Sequence, residues 1–216
     1  FAAGNPMEGD PAKWSTPERV RFLNRLPREM SVERLESLRK LLDLDKQNNS
    51  EVTYAWLRIA IANRYDAAVP QLERFLSAQA RQHALWLVGG TLPLRESGHT
   101  RVRNACLVFA PDGSQAARYD KMHLFAFDNG REQYDEGRVL EAGPEPVALQ
   151  AGALRVGLSV CYDLRFPELY RALMQPPCDL LCVPSAFTYT TGQAHWELLL
   201  RARAVENQCV VLAPAQ

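Results

Sequence analysis

Leu154-Arg155-Val156-Gly157-Leu158-Ser159-Val160-Cys161-Tyr162-Asp163-Leu164-Arg165-Phe166-Pro167-Glu168-Leu169-Tyr170 is the stretch on which the fold turns. Leu154 to Val160 is a short apolar run, which spells a buried strand. A polar turn from Tyr162 to Arg165 follows, and Pro167 opens a helix that runs to Met174. Downstream, Leu180 to Val183 reads as a strand, Gln193 to Glu206 as a helix and Cys209 to Leu212 as a strand. Strand, helix, strand, helix, strand is the order of a parallel α/β layer with right-handed crossovers. Such layers gather their chemistry at the carboxyl ends of the strands, and Cys161 stands at one of them.

Upstream of this layer, Ala84 to Val88 is an apolar run that ends at Gly89-Gly90. The glycine pair reads as a backbone turn, since neither a Lys-Ser/Thr nor a following helix makes it a phosphate loop. Val102 to Phe109, the turn Pro111-Asp112-Gly113 and Ala116 to Tyr119 read as a hairpin. Before residue 80 the texture changes: only Gly4 and Gly9 of the 12 glycines lie there, and none of the five cysteines. Thr16-Pro17-Glu18 supplies a capping hydroxyl, a first-turn proline and an acid, followed by Val20, Leu23 and Leu26 at helical spacing. Ser31 caps a second helix with Leu35, Leu38 and Leu42. Asn48-Asn49-Ser50-Glu51 opens a third, with Trp56, Ile59 and Ala60 on a core face. Asp66 opens a fourth, with Pro70 in its first turn and Leu72, Phe75, Leu76 and Ala80 on one side. Short helices with short polar turns predict antiparallel pairs, as in a bundle or an ARM/HEAT-like solenoid. The expectation is a helical segment over 1–77 and an α/β unit over 78–216.

Composition narrows the partners. The 216 residues carry Lys+Arg 25 against Asp+Glu 25, so the net charge is zero, and no basic run occurs. That argues against nucleic acid and anionic membrane surfaces. No apolar stretch approaches the roughly 18 residues of a membrane span, and Phe1 to Asp10 lacks the order of a signal peptide. An odd number of cysteines (Cys106, Cys161, Cys178, Cys182, Cys209) makes a disulfide framework a poor explanation and a reducing, cytoplasmic setting the better one. Cys178 and Cys182 lack a second pair at zinc spacing and sit in an apolar segment, so they read as core.

Three residues are candidates for chemistry, each with a plainer alternative. Cys161, between strand and helix, can project into a cleft where backbone N–H groups stabilise a thiolate or an oxyanion; the alternative is a core cysteine ending an apolar strand. Lys121, after Tyr119-Asp120 at the end of the hairpin, is either a solvated edge charge or a cation for a nearby thiolate and its oxyanion. Glu136, in Tyr134-Asp135-Glu136-Gly137, is ambiguous alone, since a glutamate in a polar loop is solvated by default.

These residues belong to longer strings: Tyr119-Asp120-Lys121-Met122-His123-Leu124-Phe125, the Gly157 to Tyr170 stretch, Val183-Pro184-Ser185-Ala186-Phe187, His195-Trp196 and Arg201-Ala202-Arg203-Ala204-Val205-Glu206-Asn207. Together they resemble the nitrilase superfamily of carbon-nitrogen hydrolases, from about Gln79 onward, and most of all its amidases for omega-amides and deaminated glutathione. The resemblance implies an αββα sandwich, Cys161 as nucleophile, Lys121 as the triad lysine, Glu136 as an additional glutamate beside it and the backbone N–H of Tyr162 in the oxyanion site. It also implies a small amide substrate, no metal or organic cofactor, and a homodimer contact near the helix that His195-Trp196 would open. The family's triad glutamate follows an apolar strand, and no such segment precedes the hairpin here. Pro17-Glu18 opens a polar helix, so that role is not carried to Glu18. The family sandwich also continues beyond Val210-Val211-Leu212-Ala213. The expectation is a truncated sandwich with impaired activity.

The first segment resembles another family. Trp14-Ser15-Thr16-Pro17-Glu18 with Phe22-Leu23, Asn48-Asn49-Ser50-Glu51-Val52 with Tyr54-Ala55-Trp56-Leu57, and Tyr65-Asp66-Ala67-Ala68-Val69-Pro70 are similar to the C-terminal helical domain of aminopeptidases of the leukotriene A4 hydrolase type, over about 11–75. No pair among His83, His99, His123 and His195 has the His-Glu-x-x-His spacing of those zinc enzymes. A fusion of a helical aminopeptidase module to a hydrolase remnant is the alternative to a working amidase.

Overall fold

The computed structural model describes residues 10–128, 130 and 133–215. The reading of the chain's start as lacking a signal peptide falls on residues 1–9 and lies outside the described residues. Two compact units divide between Phe75 and Leu76.

The first unit contains α1 (Thr16–Asn24), α2 (Val32–Leu41), α3 (Ser50–Ala62) and the start of α4 (Val69–His83). Each of the first three helices begins beside a side chain that serves its free end groups. Asn49 Oδ1 accepts from the N–H groups of Glu51 and Val52, and Ser31 Oγ accepts from Arg34. At α1 the cap is Ser15 and not Thr16. Its N–H and hydroxyl both donate to Glu18, at 2.8 and 2.6 Å, since a glutamate at the third helical position reaches back to the residue before the helix. Those bonds hold the Glu18 carboxyl below its ordinary range. Its role is therefore in capping. Leu23, Leu35, Leu38, Trp56 and Ala60 are buried together with Leu72. Trp56 is fully buried, and its indole N–H donates to Gln71, whose amide donates to the Leu44 carbonyl. A buried polar chain of this kind is tolerated because each donor has its acceptor.

In the second unit β1 (Leu87–Leu94), β2 (Arg103–Phe109) and β3 (Gln115–Asp120) form an antiparallel sheet. A second sheet has the order β6 (Val147–Ala151), β7 (Leu154–Leu158), β8 (Leu180–Cys182), β9 (Val210–Leu212), antiparallel at β6 and parallel from β7 to β9. Between the sheets in sequence lies a small hairpin of β4 (Ala126–Asp128) and β5 (Gln133–Asp135). The helices α5 (Pro167–Leu173) and α6 (Tyr189–Asn207) provide the crossovers of the parallel layer.

The sheets pack face to face through Cys106, Val108 and Tyr119 on one side and Val156, Leu158 and Cys182 on the other. Leu169, Tyr170 and Leu173 of α5 and Trp196 and Leu199 of α6 cover the far face of the second sheet at Leu181 and Val183. On the first sheet lies the end of α4, where Ser77 donates to the Gly113 carbonyl and Arg81 to that of Asp112. Helix, sheet, sheet, helix is an αββα sandwich.

Three expectations change. The Gly89-Gly90 pair is not a turn after a strand but part of β1, which starts at Leu87 because α4 continues to His83 and the chain turns at Ala84, φ +49°. The register slips between Val88 and Thr91 with Gly90 at φ +72°, which makes the pair a β-bulge. A Cβ on Gly89 would lie 2.9 Å from Leu76 Cδ1, so glycine lets α4 approach the sheet. Second, α6 starts at Tyr189, where Thr188 caps it, so His195 and Trp196 lie inside the helix and do not open it. Third, β6 and the β4–β5 hairpin were not foreseen.

Burial between the sheets pushes the Cys106 thiol up to about 12 and that of Cys182 up to about 11, from an ordinary 9.0. The fold holds both as neutral thiols, whereas the unfolded chain ionises them above pH 9. Their contribution to stability is therefore whole below pH 9 and declines as pH rises toward 11–12. Denaturant unfolding should show a loss of about 1.4 kcal/mol per pH unit for each thiol above pH 9. Cys106→Val should flatten that slope, and an unchanged slope would contradict the assignment.

Candidate active site

Just beyond the carboxyl end of β7, Cys161 takes φ +52°, a value that non-glycine residues adopt only when their surroundings impose it. What imposes it is a bond to the neighbouring strand's exit: the Cys161 N–H donates to the Pro184 carbonyl at 3.0 Å. The residue begins a 3₁₀ turn, Cys161–Arg165, that leads into α5. Its Sγ lies 3.7 Å from the Ala186 carbonyl, and the side chain is half-buried. It lines a cavity of about 70 Å³ with Phe125, Glu136, Tyr162, Arg165 and Phe187. Cys161 packs against the edge of the core between the sheets and also opens on this cavity. Cys106, Cys178 and Cys182 are buried and Cys209 is half-buried, and burial pushes all four of these thiols up.

Lys121 is not a solvated edge charge. Its side chain has no exposed surface, and Nζ donates to Glu136 Oε2 at 2.5 Å. The same oxygen accepts the Phe125 N–H at 2.7 Å, while the Glu136 N–H donates to the Phe125 carbonyl at 2.9 Å. A lone buried ammonium costs several kcal/mol, so a carboxylate must accompany it. That requirement draws Glu136 out of the solvent in which a polar loop would leave it. Because Glu136 also lines the Cys161 cavity, the lysine's charge lies on the thiol's side of the sandwich. The end of β3 is held from outside as well. The Gly143 N–H donates to the Lys121 carbonyl, and a Cβ there would fall 2.0 Å from the Asp120 oxygen, so only glycine allows the loop to cross.

Asp163, quoted above only as part of a motif, is fully buried. Its Oδ2 accepts from Tyr119 OH at 2.7 Å and the Val160 N–H at 2.8 Å; its Oδ1 accepts from the His123 N–H at 3.0 Å and pairs with His123 Nδ1 at 2.7 Å. The signal available in sequence is an acid set between Tyr162 and Leu164. Arg165 was missed too. Its guanidinium lies 5.9 Å from the Tyr162 ring and 5.8 Å from that of Phe187, and both terminal nitrogens donate to His195 Nδ1 at 3.3 Å. Since arginine only donates, Nδ1 is the unprotonated nitrogen of that ring. Among the described residues Arg165 forms no ion pair.

Among the described residues no group of three or more His, Cys, Asp or Glu could hold a metal ion, and no helix is long and apolar enough to cross a membrane.

The site is thus a strand-end cysteine at a strained turn and a glutamate, bonded to a buried lysine, that share one cavity of an αββα frame. The carbon-nitrogen hydrolase family model matches residues 54–216, and the chain belongs to that family. The leukotriene A4 hydrolase C-terminal model matches residues 14–86 and overlaps the first. The chain is similar to a deaminated glutathione amidase of Yersinia enterocolitica, 43% identical over 151 residues, covering 67% of this chain and 52% of that protein. It is similar to the human omega-amidase NIT2, 44% identical over 137 residues, covering 63% and 49%. Among solved structures, the Caenorhabditis elegans NitFhit protein superposes with a TM-score of 0.64 at 40% identity, over 73% of this chain and 39% of that one. The α/β architecture is thus of the nitrilase type. The chain spans about half the length of the two curated relatives named.

The buried charge pair can be tested by coupling. Lys121→Met and Glu136→Leu should each destabilise the fold, the latter by about 3–5 kcal/mol because it leaves the ammonium alone. The former should cost less, since Glu136 retains some exposure. The double variant should recover much of the loss in denaturant unfolding. Strict additivity would rule out the pairing.

Proposed function

We propose that this protein is a thiol-dependent amidase that hydrolyses a small non-peptide amide and releases ammonia. The single observation that carries the proposal is the shared cavity of Cys161 and Glu136, with Lys121 buried on the latter. In the proposed reaction the Cys161 sulfur attacks the amide carbonyl carbon, forming a C–S bond. The oxygen becomes an oxyanion, held by the Lys121 ammonium and the Tyr162 N–H. The nitrogen takes up the proton given up by the thiol, the oxyanion re-forms the C=O bond as the C–N bond breaks, and ammonia leaves a thioester. Water, giving a proton to a carboxylate, then converts the thioester to a carboxylic acid and frees the thiol. No step calls for a metal or an organic cofactor.

Two features refine the reading. Arg165 offers the cavity a cation with no carboxylate partner among the described residues, which favours an amide that also carries an anionic group. Among the described residues that line the cavity, Glu136 supplies the carboxylate, and its Oε2 is already engaged by Lys121 and Phe125. A shortage of free base is the reason to propose slow turnover, since an absent acid/base group costs about two to four orders of magnitude in rate. Residues 1–77 are proposed as an ARM/HEAT-like helical module and 78–216 as the partial hydrolase domain, working in the cytoplasm, with a homodimer contact through α6, where Leu198 and Val205 are exposed. Nucleic acid and membrane are not proposed as partners.

A second reading, favoured by the match of residues 14–86, is a non-catalytic helical module of the aminopeptidase type fused to a hydrolase remnant. Ammonia release from a short omega-amide separates the two. The amidase reading predicts turnover well below the enzyme median of about 10 s⁻¹. That turnover should be faster with a carboxylate-bearing amide than with a neutral one and abolished by Cys161→Ala. No release from the unaltered chain would support the second reading, release that survives Cys161→Ala would overturn the thiol-dependent mechanism, and release near the median would overturn the impairment.

A further inference from the structure

Asp163 is a buried acid that the proposed reaction does not use. A carboxylate with no exposed surface is costly in a protein interior unless its lone pairs are filled, and here four donors fill them. Where those donors come from is informative. The Val160 N–H belongs to the residue immediately before Cys161. Tyr119 lies two residues before Lys121, and His123, which gives both its N–H and its ring nitrogen, lies two residues after it. One carboxylate therefore grips the chain beside the nucleophile and on both flanks of the lysine.

The grip has further support. Tyr119 OH, besides donating to Asp163, lies 3.3 Å from the Met122 N–H and accepts from it, so the chain on either side of Lys121 closes around one hydroxyl. Burial and the neighbouring Asp163 charge push the Tyr119 phenol well up, which keeps it a donor. The His123 ring stacks on Phe166 at 3.8 Å with an interplanar angle of 10°, and the Phe166 N–H donates to the Asp163 carbonyl at 2.9 Å. At the far side of the same turn the Arg203 guanidinium donates twice to the Leu164 carbonyl, at 3.1 and 2.8 Å. The turn can thus shift neither along β7 nor away from β3.

We propose that Asp163 is the positioning residue of this site: through Val160, Tyr119 and His123 it sets the register of the Cys161 turn against the β3 end that carries Lys121. The inference rests on the reading of Cys161 and Lys121 as a working pair. The side chains of Tyr119 and His123 reach the turn from the β3 end, and both end on Asp163. Asparagine cannot replace the acid, because its amide would turn a donor toward two donors on one side or the other. A displacement of about 1 Å in a catalytic arrangement is worth about 10²-fold in rate, so the effect should fall on the chemical step more than on binding.

The test compares Asp163→Asn and Tyr119→Phe with the unaltered chain by three readouts. These are the rate of Cys161 alkylation by iodoacetamide, the kcat and KM of ammonia release, and the far-ultraviolet circular dichroism of the folded protein. The proposal expects folded variants whose kcat falls about 10²-fold for Asp163→Asn and less for Tyr119→Phe, with KM within about threefold. Cys161 alkylation should change in the same order. A folded Asp163→Asn with unaltered kcat and alkylation overturns the proposal. If that variant does not fold, a folded Tyr119→Phe with unaltered alkylation does so. Loss of kcat in proportion to the folded fraction alone also overturns it, since that is the signature of a merely structural acid. An unaltered chain that releases no ammonia retires the amidase reading, and the alkylation comparison then decides the positioning role by itself.

Discussion

An ammonium group with no exposed surface stands at the end of β3, and a protein interior accepts such a charge only beside a counter-charge. From that constraint follows much of the second unit. Lys121 must reach Glu136, so the segment after the β4–β5 hairpin must return to Phe125 and bond it from both directions. The loop at Gly143 must then cross the strand end without a side chain. The carboxylate that neutralises the lysine is also a wall of the cavity into which Cys161 is turned. Electrostatic necessity and the layout of the site are here the same fact.

The cysteine obeys a complementary constraint. Its left-handed backbone is a strained state that persists because the surroundings over-determine it. Pro184 bonds its N–H from the exit of β8, Asp163 bonds the residue before it, and Arg203 holds the end of the turn from α6. The exit of β8 and helix α6 thus hold the turn from outside, and Asp163 holds it from within. A mobile loop would not present a thiol in a fixed direction, and this arrangement leaves it little freedom. The helical unit is held by its caps and by an apolar core around Trp56.

The parts legible in the sequence were those governed by local chemistry. Ser31 and Asn49 cap helices because short polar side chains satisfy the N–H groups next to them, and the apolar runs are buried from Val156 and from Leu181 onward, although Leu154, which starts the first, is exposed. Cys161 was legible as a strand-end residue, and its string of neighbours carried the family resemblance. What escaped depends on contacts distant in sequence. Tyr119 and Asp163 are 44 residues apart, and His123 and Asp163 are 40 apart, so nothing local marks the acid as buried. Gly89-Gly90 resembles ordinary turn punctuation, but its purpose is set by Leu76 arriving from α4. The strands β4 and β5 are three residues each and exposed, too short and too polar to show a period of two. Glu136 could not be told from a solvated acid until its partner was found to be a buried lysine.

The central claim is that Cys161 forms a covalent bond to the carbonyl carbon of an amide while Lys121 carries the resulting charge. Mass spectrometry of the protein quenched in acid during incubation with a short omega-amide reads this directly. The account predicts an added mass equal to the substrate less ammonia, located on the peptide that contains Cys161, and lost when Lys121 is replaced by Met. An adduct on another cysteine, or the same adduct at the same level without the lysine, would contradict it.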